Sequence, residues 1–154
     1  MATTTTPTTA AATHESPTAL IPIADGSEEI EAITLADVLV RGGVKVTLAS
    51  VGRKHENIVT MSRGVKVQAD MAIEACVDLG FDLIVVPGGM PGANHLRDSE
   101  VTGGNAHSAE RVVVSDNCVT SRGPGTAMEM GVKLVELLSG KEKADQVAKA
   151  LLLM

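Results

Sequence analysis

Two stretches of the sequence combine residue types and spacing that could do chemistry. The first is Ala24-Asp25-Gly26-Ser27-Glu28-Glu29-Ile30-Glu31, directly after the apolar run Ala19 to Ala24. Ser27 is the expected cap of a helix, with Glu28 and Glu29 in its first turn. Glu31 then lies one turn inside and can point back over the end of the run. A carboxyl held partly out of water has a raised pKa and can give or take a proton near neutrality. The same acids also complement a helix dipole, which is a purely structural use. The second stretch is Pro87-Gly88-Gly89-Met90-Pro91-Gly92, at the carboxyl end of the apolar run Phe81 to Val86. Backbone N–H groups in such a loop can hold an anion or oxyanion, and ligands of open α/β sheets bind at that end of the strands. It is neither a Walker loop nor GxGxxG, and glycines required for a tight turn would produce the same text.

A nucleophile is harder to find. Cys76 lies in a stretch expected to be helical, Ala72 to Leu79, and Cys118 lies in an expected hairpin. Neither follows a buried strand and opens a helix, the context that exposes and activates a thiol, so both are expected to pack as small hydrophobes. His14, His55, His95 and His107 show no ligand spacing such as HExxH, and no CxxC is present, so neither metal nor cofactor is expected. His95, just after the glycine-rich loop, is the one histidine near the expected crevice, and a surface position is expected for it.

These residues need a scaffold. Ala19 to Ala24, Val44 to Ala49 and Phe81 to Val86 are expected strands, with Val65 to Gln68 a shorter one. Continuous Val, Ile and Leu without alternation suits strands covered on both faces, and alternation with helical stretches predicts an α/β domain with a mostly parallel sheet. The first helix should stop at Arg41-Gly42-Gly43. Further on, Arg111 to Val114 and Cys118 to Thr120 flank Ser115-Asp116-Asn117 as a hairpin. The polar loop Ser121-Arg122-Gly123-Pro124-Gly125-Thr126 follows, where Thr126 and Glu129 have capping-box spacing. A helix to Leu138, stopped by Ser139-Gly140, and an Ala-rich amphipathic stretch complete the pattern. Residues 1 to 18, with eight Thr, four Ala and two Pro, cannot bury enough surface to order and are expected to be a disordered tail, leaving residues 19–154 as one domain.

Composition narrows the function classes. The formal charge is −6 and Phe81 is the only aromatic residue, so neither phosphate attraction nor base stacking supports nucleic-acid binding. No apolar run approaches the roughly 18 residues that span a membrane. Two cysteines fit a reducing compartment, so the cytoplasm is expected; a short plastid transit peptide is the alternative use of the Thr-rich tail.

Taken together, Leu20 to Glu31, Arg41 to Thr47, Asp82 to Gly89 and Thr120 to Thr126 resemble, in order, the motifs of the DJ-1/ThiJ/PfpI superfamily. The match is closest to the Parkinsonism-associated branch and its plant relatives. The resemblance implies a flavodoxin-like sandwich, a homodimer, and a role as glutathione-independent glyoxalase (methylglyoxal to lactate), deglycase of protein and nucleotide adducts, or oxidative-stress chaperone. Small reactive carbonyls or glycated adducts would be its ligands. By resemblance Glu31 matches the family glutamate that hydrogen-bonds the catalytic cysteine, and Gly88 and Gly89 match the loop of the oxyanion hole. Ser121, Arg122, Gly123, Pro124, Gly125 and Thr126 match a loop lining the pocket from the other side. Arg41 and Arg63 match arginines near the dimer seam and the site rim.

One departure stands out. The family segment with the nucleophile elbow, a strand ending in cysteine followed by a small-residue helix start, has no counterpart between Glu100 and the hairpin, and a downstream family histidine is missing with it. The domain therefore resembles a family member lacking an internal segment near residues 100–102. An alternative transcript, an imperfect gene model or a degenerate paralogue would each produce such a chain. Without the thiol, catalysis by thiolate addition is expected to be impaired, and a noncatalytic binding or chaperone-like dimer is the competing expectation.

Overall fold

The computed structural model describes residues 16–52, 57–97, 111–115 and 118–153. Strand β1 (Thr18–Ile23) leads through helix α1 (Glu29–Arg41) into strand β2 (Lys45–Ser50), which pairs with β1 in parallel. A small hairpin follows, β3 (Ile58–Thr60) with β4 (Lys66–Gln68), then the two-residue strand β5 (Met71–Ala72), a 3-10 turn at Ile73–Cys76 and strand β6 (Leu83–Ile84). After the short helix α2 (Gly92–Arg97) come the antiparallel strands β7 (Val112–Ser115) and β8 (Cys118–Ser121), then helices α3 (Ala127–Ser139) and α4 (Lys141–Ala150). The main sheet is parallel, in the order β5-β2-β1-β6. The chain thus steps outward from β1 on one side and later returns to its other side, which makes the β1/β6 boundary a topological switch point.

The two faces of β1 bury different clusters. Ala19, Ile21 and Ile23 pack with Ala32, Leu35, Val38 and Leu39 of α1 and with Met130, Leu134 and Val135 of α3. Leu20, on the opposite face, packs with Ala49, Ile73 and Cys76, flanked by the half-buried Phe81. The α1–α3 contact is close because Gly131 faces Val38: a Cβ on Gly131 would lie 2.7 Å from Val38 Cγ1.

Several expectations shift. Thr18, expected in the tail, opens β1, where Asp82 Oδ2 accepts from its N at 2.8 Å and from its hydroxyl at 2.9 Å; residues 1–15 lie outside the described residues. The expected strand Phe81 to Val86 contracts to Leu83–Ile84. Val85 N donates to Leu20 O at 2.9 Å, but continuing this ladder requires N–H donors from Pro22 and Pro87, and proline has none. Glu28, not Ser27, is the N-cap of α1: its Oε2 accepts from Glu31 N, while Ser27 Oγ turns back to accept from Ala24 N. The capping box of Thr126 and Glu129 does not form. Thr126 Oγ1 accepts from Gly123 N and donates to Gly123 O, and Glu129 pairs with Arg111 instead. The glycine-rich loop runs directly into α2, which begins at Gly92. The proposed junction near 100–102, the turn residues Asp116 and Asn117, and His14, His55 and His107 all lie outside the described residues.

Candidate functional site

At the switch point, the loop leaving β1 and the loop leaving β6 are joined backbone to backbone. Glu28 N donates across them to Gly88 O at 2.8 Å, and within the second loop Ala93 N donates to Gly89 O at 2.7 Å. Gly89 has φ +92°, and a Cβ there would lie 2.6 Å from both Glu28 N and Gly26 O, so only glycine fits. The glycines of this loop therefore have a steric reason, and that reason sets the aim of the neighbouring Gly88 N–H.

That N–H meets Glu31. Helix α1 buries Ala32 and Leu35 against the sheet, and this anchoring holds Glu31 half-buried over the carboxyl ends of β1 and β6. Gly88 N donates to Glu31 Oε2 at 2.5 Å. Burial pushes the Glu31 carboxyl above the ordinary glutamate range, the Gly88 N–H opposes that shift, and the nearby Glu28 carboxylate reinforces it. The pair places a carboxyl group that keeps its proton to higher pH than an exposed glutamate beside a fixed backbone donor.

A third element closes the rim. Glu29 Oε2 accepts from the Ser62 hydroxyl at 2.6 Å, and its Oε1 accepts from Arg63 N at 2.8 Å. Gly26 N donates to Thr60 O at 2.9 Å, Thr60 N to Asp25 Oδ1 at 2.9 Å, and Ser62 N to Ser27 O at 2.8 Å. The β3–β4 turn with Arg63 is thus tied to the loop that carries the acids. The Ser62 hydroxyl holds the Glu29 carboxyl below its usual range. Sequence reasoning missed this clamp and the Glu28 cap. The Glu28/Glu31 spacing was the available signal for the cap; no local signal joins Glu29 to Ser62, which lie 33 residues apart.

Other expected site residues are elsewhere. Arg41 is ion-paired to Asp37 at 2.8 Å in the last turn of α1, roughly 15 Å along the axis from Glu31. Ser121 to Thr126 joins β8 to α3; Gly123 and Thr126 bond each other, and Arg122 N donates to Arg111 O. Cys76 is buried across the sheet from α1, and burial pushes its thiol up, which makes it a poor nucleophile. His95 is exposed on α2. Among the described residues no cluster of three or more His, Cys, Asp or Glu could hold a metal, and no helix is long and apolar enough to cross a membrane.

A carboxyl and a glycine-rich loop meeting at the switch point of a mostly parallel sheet define an α/β protein of flavodoxin-like architecture. A family model, the DJ-1/PfpI family, matches residues 17–103. Protein DJ-1 homolog A of Arabidopsis thaliana is 35% identical over 185 positions, spanning 90% of this chain and 47% of the relative. The glutathione-independent glyoxalase DJR-1.2 of Caenorhabditis elegans is 31% identical, spanning 92% of this chain and 98% of the relative. The solved structure of oxidized Toxoplasma gondii DJ-1 superposes with a TM-score of 0.82 at 36% identity, covering 89% of this chain and 98% of that one. The chain belongs to the DJ-1/PfpI family. It spans about half the length of the Arabidopsis relative and nearly the whole of the nematode one.

Proposed function

We propose that this chain is a carbonyl-stress protein whose Glu31/Gly88 crevice receives small reactive carbonyls or glycated adducts, and whose glyoxalase or deglycase turnover is impaired by the loss of the nucleophile segment near residues 100–102. The observation that carries this reading is the Glu31 carboxyl bonded to Gly88 N at the switch point, with Cys76 buried across the sheet. The alignment to the Arabidopsis relative supports it: 185 positions are more than the 154 residues of the chain, so the alignment opens gaps in this chain. The nematode relative's name supplies the reaction class. Purified protein incubated with methylglyoxal tests the reading. The expected outcome is binding without turnover; turnover abolished both by Glu31→Gln and by substitution of Cys76 or Cys118 overturns it.

A noncatalytic homodimer is the second reading, and α1 favours it. Ile30, Ile33 and Val40 are exposed by 54%, 43% and 58% on the face opposite Ala32, Leu35, Val38 and Leu39, an apolar stripe suited to a second copy. Light scattering after size exclusion should give twice the chain mass, and Ile33→Lys should halve it. Arg41 at the end of this helix belongs to that seam, and Arg63 to the rim of the crevice. The loop Ser121 to Thr126 is assigned to the far wall on family grounds. The cytoplasm is the proposed compartment, with the plastid as alternative.

A further inference from the structure

Strand β7 has one unpaired edge, and a groove lies beside it. Arg122 N donates to Arg111 O at 3.1 Å, and in the β7–β8 register Val112 lies opposite Ser121 and Val114 opposite Val119. Bonding alternates along an antiparallel ladder, so Arg111 and Val113 turn their N–H and C=O toward β8, while Val112 and Val114 turn theirs to the other edge. Among the described residues no strand pairs with β7 on that edge. The strand reads Val112-Val113-Val114-Ser115, without the Lys or Pro that commonly guards an open edge. The Val112 and Val114 side chains share one face, and with Arg111 and with Glu129 and Lys133 of α3 they line a groove of about 330 Å³. Val112 is half-buried against the core, and Val114 is 43% exposed. Glu129 accepts from Arg111 Nε at 2.9 Å and from its Nη2, and Glu136, outside the lining, accepts from Lys133 Nζ at 3.0 Å. The lining itself therefore carries two cations against one carboxylate.

We propose that the free edge of β7 and the facing side of α3 form a docking groove for an extended acidic peptide segment, added to β7 as an antiparallel strand. Its small apolar side chains, two residues apart, lie over Val112 and Val114, and its carboxylate side chain meets Arg111 and Lys133. Each property of the partner answers a feature of the groove. The backbone groups of Val112 and Val114 call for a ladder, which an extended peptide supplies through its own main chain. The alternate valines set the apolar spacing, and the excess positive charge of the lining sets the acid. The β7 edge of a second copy would satisfy the ladder but not the charge: Val112–Ser115 holds no carboxylate, and the adjoining Arg111 would add a further cation. The groove shares no residue with the Glu31/Gly88 site, so the inference stands apart from the proposed carbonyl chemistry.

The test is fluorescence anisotropy of a dye-labelled, end-blocked pentapeptide, EVTVE, titrated with the full chain. Saturable binding is expected. The charge-reversed KVTVK should bind about tenfold or more weaker, the scale of a charge-assisted hydrogen bond lost. EVTVE methylated on the N of both valines cannot donate to the edge and should weaken by a similar factor. On the protein, Val114→Pro removes an N–H that points away from β8, so the hairpin ladder stays while EVTVE binding falls about tenfold. If Val114→Pro melts at lower temperature than the parent, Lys133→Glu on the surface of α3 replaces it. That variant should weaken EVTVE and strengthen KVTVK, an exchange of preference that loss of structure cannot produce. No saturable binding of EVTVE by the parent, or equal affinities for the three peptides, overturns the inference. So does a dimer in light scattering that Val114→Pro dissociates while EVTVE fails to bind, which gives the edge to a second copy.

Discussion

Glu31 is neutralised more easily than an ordinary glutamate because helix packing holds it half out of water, and this has a pH signature. A raised folded-state pKa means that the carboxyl's contribution is fully present below the ordinary value of 4.5 and is lost as pH rises through the folded value. Glu31→Gln should therefore match the parent in urea unfolding near pH 4 and exceed it at pH 7. Glu29 behaves in the opposite sense. Its carboxyl is held low by Ser62, so its contribution is present above 4.5 and is lost as pH falls through the folded value. Glu29→Gln should destabilise at pH 7 and converge with the parent near pH 3, measured the same way. At Gly89 the argument is steric: Gly89→Ala combines φ +92° with a Cβ 2.6 Å from backbone, and should cost roughly 2–4 kcal/mol in urea unfolding. At this scale the sequence exposed Glu31 and the glycine loop because both are local patterns. It pointed to Ser27 rather than Glu28 as the cap because Ser is the statistically preferred cap, whereas the choice here is made by Ala24 N, which takes the Ser27 hydroxyl.

The elements that hold these residues were legible where the apolar pattern runs for a whole strand or several helical turns. β1, α1, β2, α3 and α4 fall close to where hydrophobic runs and glycine stops put them, and Gly43 at φ +81° and Gly140 at φ +86° follow the expected helix ends. Short pieces escaped. Ile58–Thr60 and Met71–Ala72 are too brief for any periodicity, and they form because distant partners, Lys66–Gln68 and β2, supply the ladder. β6 was read too long because the pattern of Val and Ile does not register that Pro22 and Pro87 withhold the next donors. The α1–α3 contact depends on one missing side chain. Gly131→Val should force Val38 aside and destabilise by about 1–3 kcal/mol, while leaving the Gly88 amide shift unchanged, because the change enters on the core face of α1 and Glu31 lies in its first turn.

For the whole molecule, the mostly parallel sheet and the family match over residues 17–103 place the chain in its family. The carboxyl and the glycine loop are held by the fold's own packing: only glycine fits at position 89 because two loops touch there, and Glu31 sits where α1 must sit to bury Leu35. Packing alone therefore suffices to hold Glu31 against the Gly88 N–H. The most direct measurement of this account is kcat/KM for methylglyoxal, determined side by side with the C. elegans glyoxalase relative. The account predicts a value at least about a thousandfold lower for this chain, the scale of losing an activated nucleophile. A value within tenfold of the relative, abolished by Glu31→Gln, would contradict it.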